Sequence, residues 1–170
     1  MRMTLRQMAA AMQATLPSCE AEGRVPVCIS TDSRTVEAEA LFFCIPGARF
    51  DGHDFLAEVA AKGALAAVVE RDIPHAPLPL LRVDAVVPAL GRLALEHRRQ
   101  CRGKVVGITG SAGKTTVKEL LAHLLAGLGP VAKNHKNLNN HIGLPSSMLA
   151  ATGEEAFWVM ETGVNFVGDM

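Results

Sequence analysis

No sign of charge prevails in this sequence: Lys and Arg number 17, Asp and Glu 17, and the formal net charge is zero. A general nucleic-acid binder carries a basic excess, so that class is set aside. The densest basic run, RLALEHRRQCRGK over 92–104, reads as the last turns of a helix, where cations offset the negative end of the helix dipole; a phosphate-binding patch is the alternative. Cysteine spacing of the metal or redox kind is missing too. Cys19, Cys28, Cys44 and Cys101 form no C-x-x-C pair, and Cys28 and Cys44 lie in apolar runs. That points to buried, reduced thiols of a cytoplasmic protein rather than disulfides or zinc ligands. His135 and His141 flank an Asn-rich loop but lack a partner set for a metal. The N-terminus has no continuous apolar core of a signal peptide, and no apolar run reaches membrane-spanning length. There is no internal repeat and no low-complexity tract.

What is present suits a packed core. Hydrophobic residues make up 49% of the 170 and charged residues 20%, consistent with one domain or two small ones. Thr4-Leu-Arg-Gln7 is a capping box for a first helix, with Leu5, Met8, Ala9 and Met12 at helical spacing. Strands are expected over 25–30, 40–46, 65–70 and 80–83. Helices are expected over 54–63, stopped by Gly63, and over 86–99, with Val86, Leu90, Leu93, Ala94 and His97 on one face. The pattern then restarts with a strand over 104–110 and a helix over 114–128. In that helix Val117, Leu120, Leu121, Leu124, Leu125 and Leu128 form an apolar stripe. A short strand at 131–134, a broken helical segment at 142–152 and a strand at 156–161 follow. Such alternation predicts an α/β protein with mainly parallel sheets. A small N-terminal α/β domain would span 1–100, and 101–170 would be the first half of a nucleotide-binding domain. Sheets of that kind carry roughly five or six strands. The last strand, AFWVME, is apolar and suited to cover on both faces, and with later strands missing part of this half-sheet is expected to be exposed, giving an adhesive surface or an exchanged dimer.

The chemistry centres on GITGSAGKTT, residues 107–116. A strand enters and a long helix leaves, so the backbone N–H groups of the turn and the helix N-terminus can cradle phosphate oxygens. Gly110, Ser111, Ala112 and Gly113 are small enough for close approach; Lys114 would reach the β- and γ-phosphates of ATP, Thr115 would ligate Mg²⁺, and Thr116 completes the loop. The strict phosphate-loop motif asks for a further glycine where Ile108 stands. The plain alternative is an ordinary Gly-rich turn. Glu161 ends the strand Phe157-Trp-Val-Met160; a carboxylate at such a tip points into the ligand crevice and suits Mg²⁺, directly or through water, the alternative being a surface Glu. In KNHKNLNN, 133–140, turn chemistry is the default reading of the Asn cluster. TDSR, 31–34, can pair Asp32 with Arg34, and DGH, 51–53, can be a plain turn. Equally, Ser33, Arg34, Arg49 and His53 can hold a phosphorylated or sugar ligand.

TDSR, LFFCIPGARFDGHDF, GITGSAGKTTVKELL, NLNNHIGLP and METGVN, in this order, resemble the N-terminal part of the Mur ligases, the ATP-dependent amide ligases of peptidoglycan synthesis. NLNNHIGLP most resembles the branch that adds D-alanyl-D-alanine to UDP-N-acetylmuramoyl tripeptide. The family loop is T-G-[ST]-x-G-K-[TS], so Ile108 is no departure within it. The resemblance implies that residues 1–100 grip the UDP-sugar end of the precursor, with Ser33, Arg34, Arg49, Asp51 and His53 as ligand candidates. It implies that 101–170 begin the central ATPase domain. Lys114 and Thr115 then act on phosphate and Mg²⁺, Glu161 is a second Mg²⁺ ligand, and Asn139 and Asn140 lie near the substrate. ATP would convert the precursor's carboxylate to an acyl phosphate that the D-alanyl-D-alanine amine attacks, in a cytoplasmic, monomeric carbon–nitrogen ligase. Family members run well beyond Met170, which marks this chain as a fragment expected to be non-catalytic by itself. A folylpolyglutamate-type ligase shares the loop but not TDSR and DGHDF. A phosphate-loop kinase or GTPase leaves 1–100 unexplained, and a non-enzymatic UDP-sugar binding module stays open.

Overall fold

The computed structural model describes residues 3–17, 20–47, 49–135 and 138–163. Cys19, Asn137 and the Val164-Asn165 end of METGVN lie outside them. The chain divides near residue 93 into two compact units, each with its own parallel sheet.

In the first unit, α1 (Leu5–Met12) starts at Thr4 with both halves of the capping box formed, and buries Leu5, Met8, Ala9 and Met12. β1 (Ile29–Ser30), β2 (Leu41–Phe43), β3 (Ala66–Val69) and β4 (Leu80–Arg82) lie in that order, every neighbouring pair parallel. β2 and β3 are buried at every residue, the signature of strands covered on both faces. Phe42, Ala67 and Val69 pack with Leu56 and Val59 of α2 (Leu56–Ala61), while Leu41, Phe43, Ala66 and Val68 alternate to the opposite face. The strand expected over 25–30 shrinks to its last two residues. Pro26 has no N–H to give a ladder, and Val25 and Val27 are exposed. Gly63, at φ +83°, closes α2 as expected. α3 (Val86–Gln100) begins in this unit and ends in the second, and it buries Val86, Leu90, Leu93, Ala94 and His97. Its basic end is a helix terminus: the Arg98 guanidinium donates to the carbonyls of Cys101 and Gly103 at 2.7 Å each.

The second unit holds β5 (Lys104–Ile108), α4 (Lys114–Ala126), β6 (Val131–Lys133), α5 (Gly143–Leu149) and β7 (Phe157–Glu161). The sheet order is β5-β7-β6, all parallel. One expectation is made specific and one is corrected here. First, the exposed part of the half-sheet is its β5 edge rather than the apolar strand β7. β7 enters between β5 and β6, and Trp158, Val159, Met160 and Glu161 are buried; exposure falls instead on the edge strand β5, at Lys104, Val105 and Gly107. Second, the apolar stripe of α4 does not face the sheet. Val117, Leu120, Leu124 and Leu128 are 51–75% exposed, whereas Lys118 and Ala122 are buried. Leu121 and Leu125 pack at the margin, against a cluster of Ile108, Ala122 and Val159. The helical period was readable; its phase was set by the sheet.

Candidate active site

β5 and β7 are paired in register so that Ile108 lies opposite Glu161. This pairing puts the tip of β7 beside the mouth of the phosphate loop, at the carboxyl ends of parallel strands where ligands bind in such sheets. The loop turns through Gly110 (φ +142°) and Gly113 (φ +77°). Gly113 caps α4 with no side-chain bond, leaving the helix N-terminus open for an anion. Ser111, Ala112, Thr115 and Thr116 are exposed, and Lys114 is half-buried. The Lys114 ammonium folds back over the loop to donate to the Gly110 carbonyl at 2.8 Å.

The Thr115 hydroxyl donates to Glu161 Oε2 at 2.8 Å, and Asn139 Nδ2 donates to Glu161 Oε1 at 2.7 Å. Burial pushes the Glu161 carboxyl up. The hydrogen bonds from Thr115 and Asn139 and the nearby ammonium groups of Lys118 and Lys114 outweigh it, so the net shift is downward and the group is a carboxylate. Thr115 keeps its oxygen lone pairs for a cation while its proton is spent on Glu161. A hydroxyl and a buried carboxylate at a phosphate loop form a hard oxygen donor set, and they fit Mg²⁺, which takes one or two protein ligands plus phosphates and water. Among the described residues no cluster of three His, Cys, Asp or Glu offers another metal site.

The two asparagines diverge. Asn139 reaches Glu161, while Asn140 Oδ1 accepts from the N–H groups of Ile142 and Gly143, at 3.2 and 2.7 Å, and so shapes the turn into α5. Gly143 is required there, because a Cβ would lie 2.7 Å from the Leu138 backbone. Two residues escaped the sequence reading. Lys118 and Asn134 are fully buried, with Lys118 Nζ 2.8 Å from the Asn134 carbonyl and 3.8 Å from Glu161 Oε2. The available signal is a lysine in helical phase with Ala122, masked by the more apolar leucine stripe beside it.

In the first unit a cleft of about 660 Å³ is lined by Thr31, Asp32, Ser33, Arg34 and Gly52 beside Phe42, Phe50 and Phe55; the candidates Arg49, Asp51 and His53 do not line it. Asp32 pairs bidentately with Arg34 at 2.6 to 3.2 Å. These bonds hold the Asp32 carboxyl down at about 2. Arg34 and Arg49 are exposed, and Ser33 is buried with its carbonyl accepting from Lys62 at 2.6 Å. His53 is enclosed: its Nε2 accepts from the Glu70 N–H at 3.1 Å, so Nδ1 carries the proton shared with Asp51 at 2.5 Å. Asp51 also meets Arg71 at 3.0 Å. DGH is more than a loose turn, since a Cβ on Gly52 would strike the Cys44 backbone at 2.7 Å. Cys44 and Cys101 are buried free thiols, Cys28 half-buried. No helix among the described residues is long and apolar enough to cross a membrane.

Two family models match the chain, one described as the Mur ligase family, catalytic domain, over residues 27–98 and one as the Mur ligase middle domain over 108–169. A UDP-N-acetylmuramoyl-tripeptide--D-alanyl-D-alanine ligase of Bacillus subtilis is 34% identical across 98% of this chain and 37% of its own length. A crystal structure of MurF from Acinetobacter baumannii superposes with a TM-score of 0.86 at 38% identity, covering 97% of this chain and 36% of that one. MurF ligase from Thermotoga maritima, in complex with ADP, superposes with a TM-score of 0.77 at 37% identity over 84% of this chain and 33% of that one. The chain thus spans about a third of the length of the relatives it matches.

Proposed function

The chain belongs to the Mur ligase family, and on that premise we propose that it is the substrate-gripping and phosphate-binding portion of a cytoplasmic ATP-dependent ligase that joins D-alanyl-D-alanine to UDP-N-acetylmuramoyl tripeptide. The observation that carries the reading is the set Thr115–Glu161–Asn139, closed by hydrogen bonds of 2.8 and 2.7 Å at the mouth of the phosphate loop. The loop N–H groups and the α4 N-terminus bind the triphosphate, and Lys114 leaves the Gly110 carbonyl to follow the γ-phosphoryl group. Thr115 and Glu161 would hold Mg²⁺, which would supply neutralisation of the phosphate charge there. Lys114 supports that same charge, which is where preorganised cations act most strongly. The resulting acyl phosphate is attacked by the D-alanyl-D-alanine amine, and phosphate departs. Asn139 keeps the free Glu161 carboxylate aimed while substrate enters. The first-unit cleft, lined by Ser33 and Arg34, takes the UDP-sugar end; Arg49 precedes Phe50 of that lining in the chain, and Asp51 and His53 flank its Gly52. Asn140 serves the ligand indirectly, through the shape of its loop.

Lys114→Ala tests the reading. In a complete ligase carrying this chain, the variant is expected to lose ADP and phosphate release while keeping the circular dichroism of the parent. Near-normal turnover would remove the nucleotide assignment.

A further inference from the structure

We propose that Lys118 is a positioning residue for the metal-binding carboxylate: its buried ammonium locks the helix leaving the phosphate loop onto Asn134, and through Asn134 it fixes where Glu161 and Asn139 stand. The inference rests on the reading of the loop as a magnesium–nucleotide site.

Lys118 is 0% exposed. It follows Thr115 by one helical turn, on the sheet-facing side of α4, where Ala122 stands one turn later. An apolar side chain is the less costly occupant of such a place, since a buried ammonium loses its hydration. What the ammonium touches accounts for its presence. Nζ donates to the Asn134 carbonyl at 2.8 Å and lies 3.4 Å from Glu119 Oε1 and 3.8 Å from Glu161 Oε2. It therefore steadies the Glu161 charge through space without taking the hydrogen-bonding place that Thr115 fills.

Asn134 carries the effect onward. It lies just past the end of β6, fully buried, and extends the ladder with its side chain. Its Oδ1 accepts from the Glu161 N–H at 2.9 Å, and its Nδ2 donates to the carbonyls of Glu161 and Leu138, each at 2.9 Å. Both backbone groups of Glu161 are thereby held, and so is the residue preceding Asn139. The Asn139 carbonyl in turn accepts from Gly163 at 2.8 Å. One buried cation thus joins three segments that meet at the site: the phosphate-loop helix, the β7 tip and the Asn139 loop.

The test uses this chain with Lys118→Met, Glu161→Gln and the double variant. Binding of magnesium tripolyphosphate, and of tripolyphosphate in EDTA, is measured by calorimetry, and amide exchange of Glu161 and Gly163 by NMR without metal. Charge alone predicts that losing a cation beside the carboxylate strengthens magnesium binding. Loss of positioning predicts the reverse, by about 10-fold or more, the usual effect of removing a group that orients a metal ligand. Expected are that loss in Lys118→Met, metal-free tripolyphosphate binding within about 2-fold of the parent on the same ground, faster exchange at Glu161 and Gly163, and no further loss when Lys118→Met is added to Glu161→Gln. Unchanged or tighter magnesium tripolyphosphate binding overturns the proposal alone; a parent chain that binds no magnesium tripolyphosphate overturns the nucleotide reading beneath it. Lys118→Gln, which keeps a donor for Asn134, is read the same way if Lys118→Met does not fold, and if neither folds Lys118 is a fold residue and the proposal fails.

Discussion

Glu161→Gln keeps the size of the side chain and its place opposite Thr115 while removing the charge. In a complete ligase carrying this chain, the magnesium concentration needed for half-maximal rate is expected to rise, and the rate at saturation to fall on the order of 100-fold, because a neutral amide is a poor magnesium ligand. A magnesium titration that overlays the parent's would make Glu161 an ordinary strand end. His97 offers a test of a different kind. Burial lowers its pKa below the usual 6.5, only partly offset by the bond from Nε2 to the Ala151 carbonyl at 3.1 Å. The folded state therefore resists protonation that the unfolded chain accepts. The stability tied to neutral His97 is fully present above 6.5 and is lost as pH falls from there toward the lower folded value. Urea melts at pH 7.5 and 5.5 are expected to show lower stability at 5.5, with the difference reduced in His97→Gln; an equal drop in both proteins would place the effect elsewhere.

At the scale of elements, α1 and α4 teach opposite lessons. α1 is local: its cap, its period and its buried face all coincide with the sequence pattern. Thr4→Ala removes one half of the capping box and is expected to cost about 1 kcal/mol, read by thermal or urea unfolding. α4 has an equally regular stripe, yet the sheet takes the neighbouring face, and Leu120 and Leu124 are 60% and 63% exposed. Leu120→Lys with Leu124→Glu is accordingly expected to change the stability of this chain by no more than about 0.5 kcal/mol, as surface substitutions do. It should also raise solubility by dividing an apolar patch. A loss of several kcal/mol would mean that the stripe is covered in solution.

At the scale of the whole molecule, this chain spans 37% of the length of the Bacillus subtilis relative. On the proposed reading, the 170 residues alone are expected to bind a UDP-muramoyl ligand weakly, to hold the triphosphate of ATP less tightly than a complete ligase does, and to form no amide bond. Phosphate release with tripeptide precursor and D-alanyl-D-alanine present is the assay, and turnover at the rate of a complete ligase would contradict it. The alternation of strands and helices, the Gly-rich turn between β5 and α4, the Asp32–Arg34 pair and a carboxylate at a strand tip were all legible from residues alone. Each rests on interactions a few positions apart: hydrophobic period, caps, turn residues. Tertiary structure decided the rest. It placed β7 between β5 and β6, so that Ile108 faces Glu161 and the carboxylate meets Thr115. It chose the face of α4 that buries Lys118, separated Asn139 from the turn-forming Asn140, and enclosed His53 between Asp51 and the Glu70 backbone. Strand order and helix phase are settled by packing between segments far apart in the chain, and no local pattern carries that information.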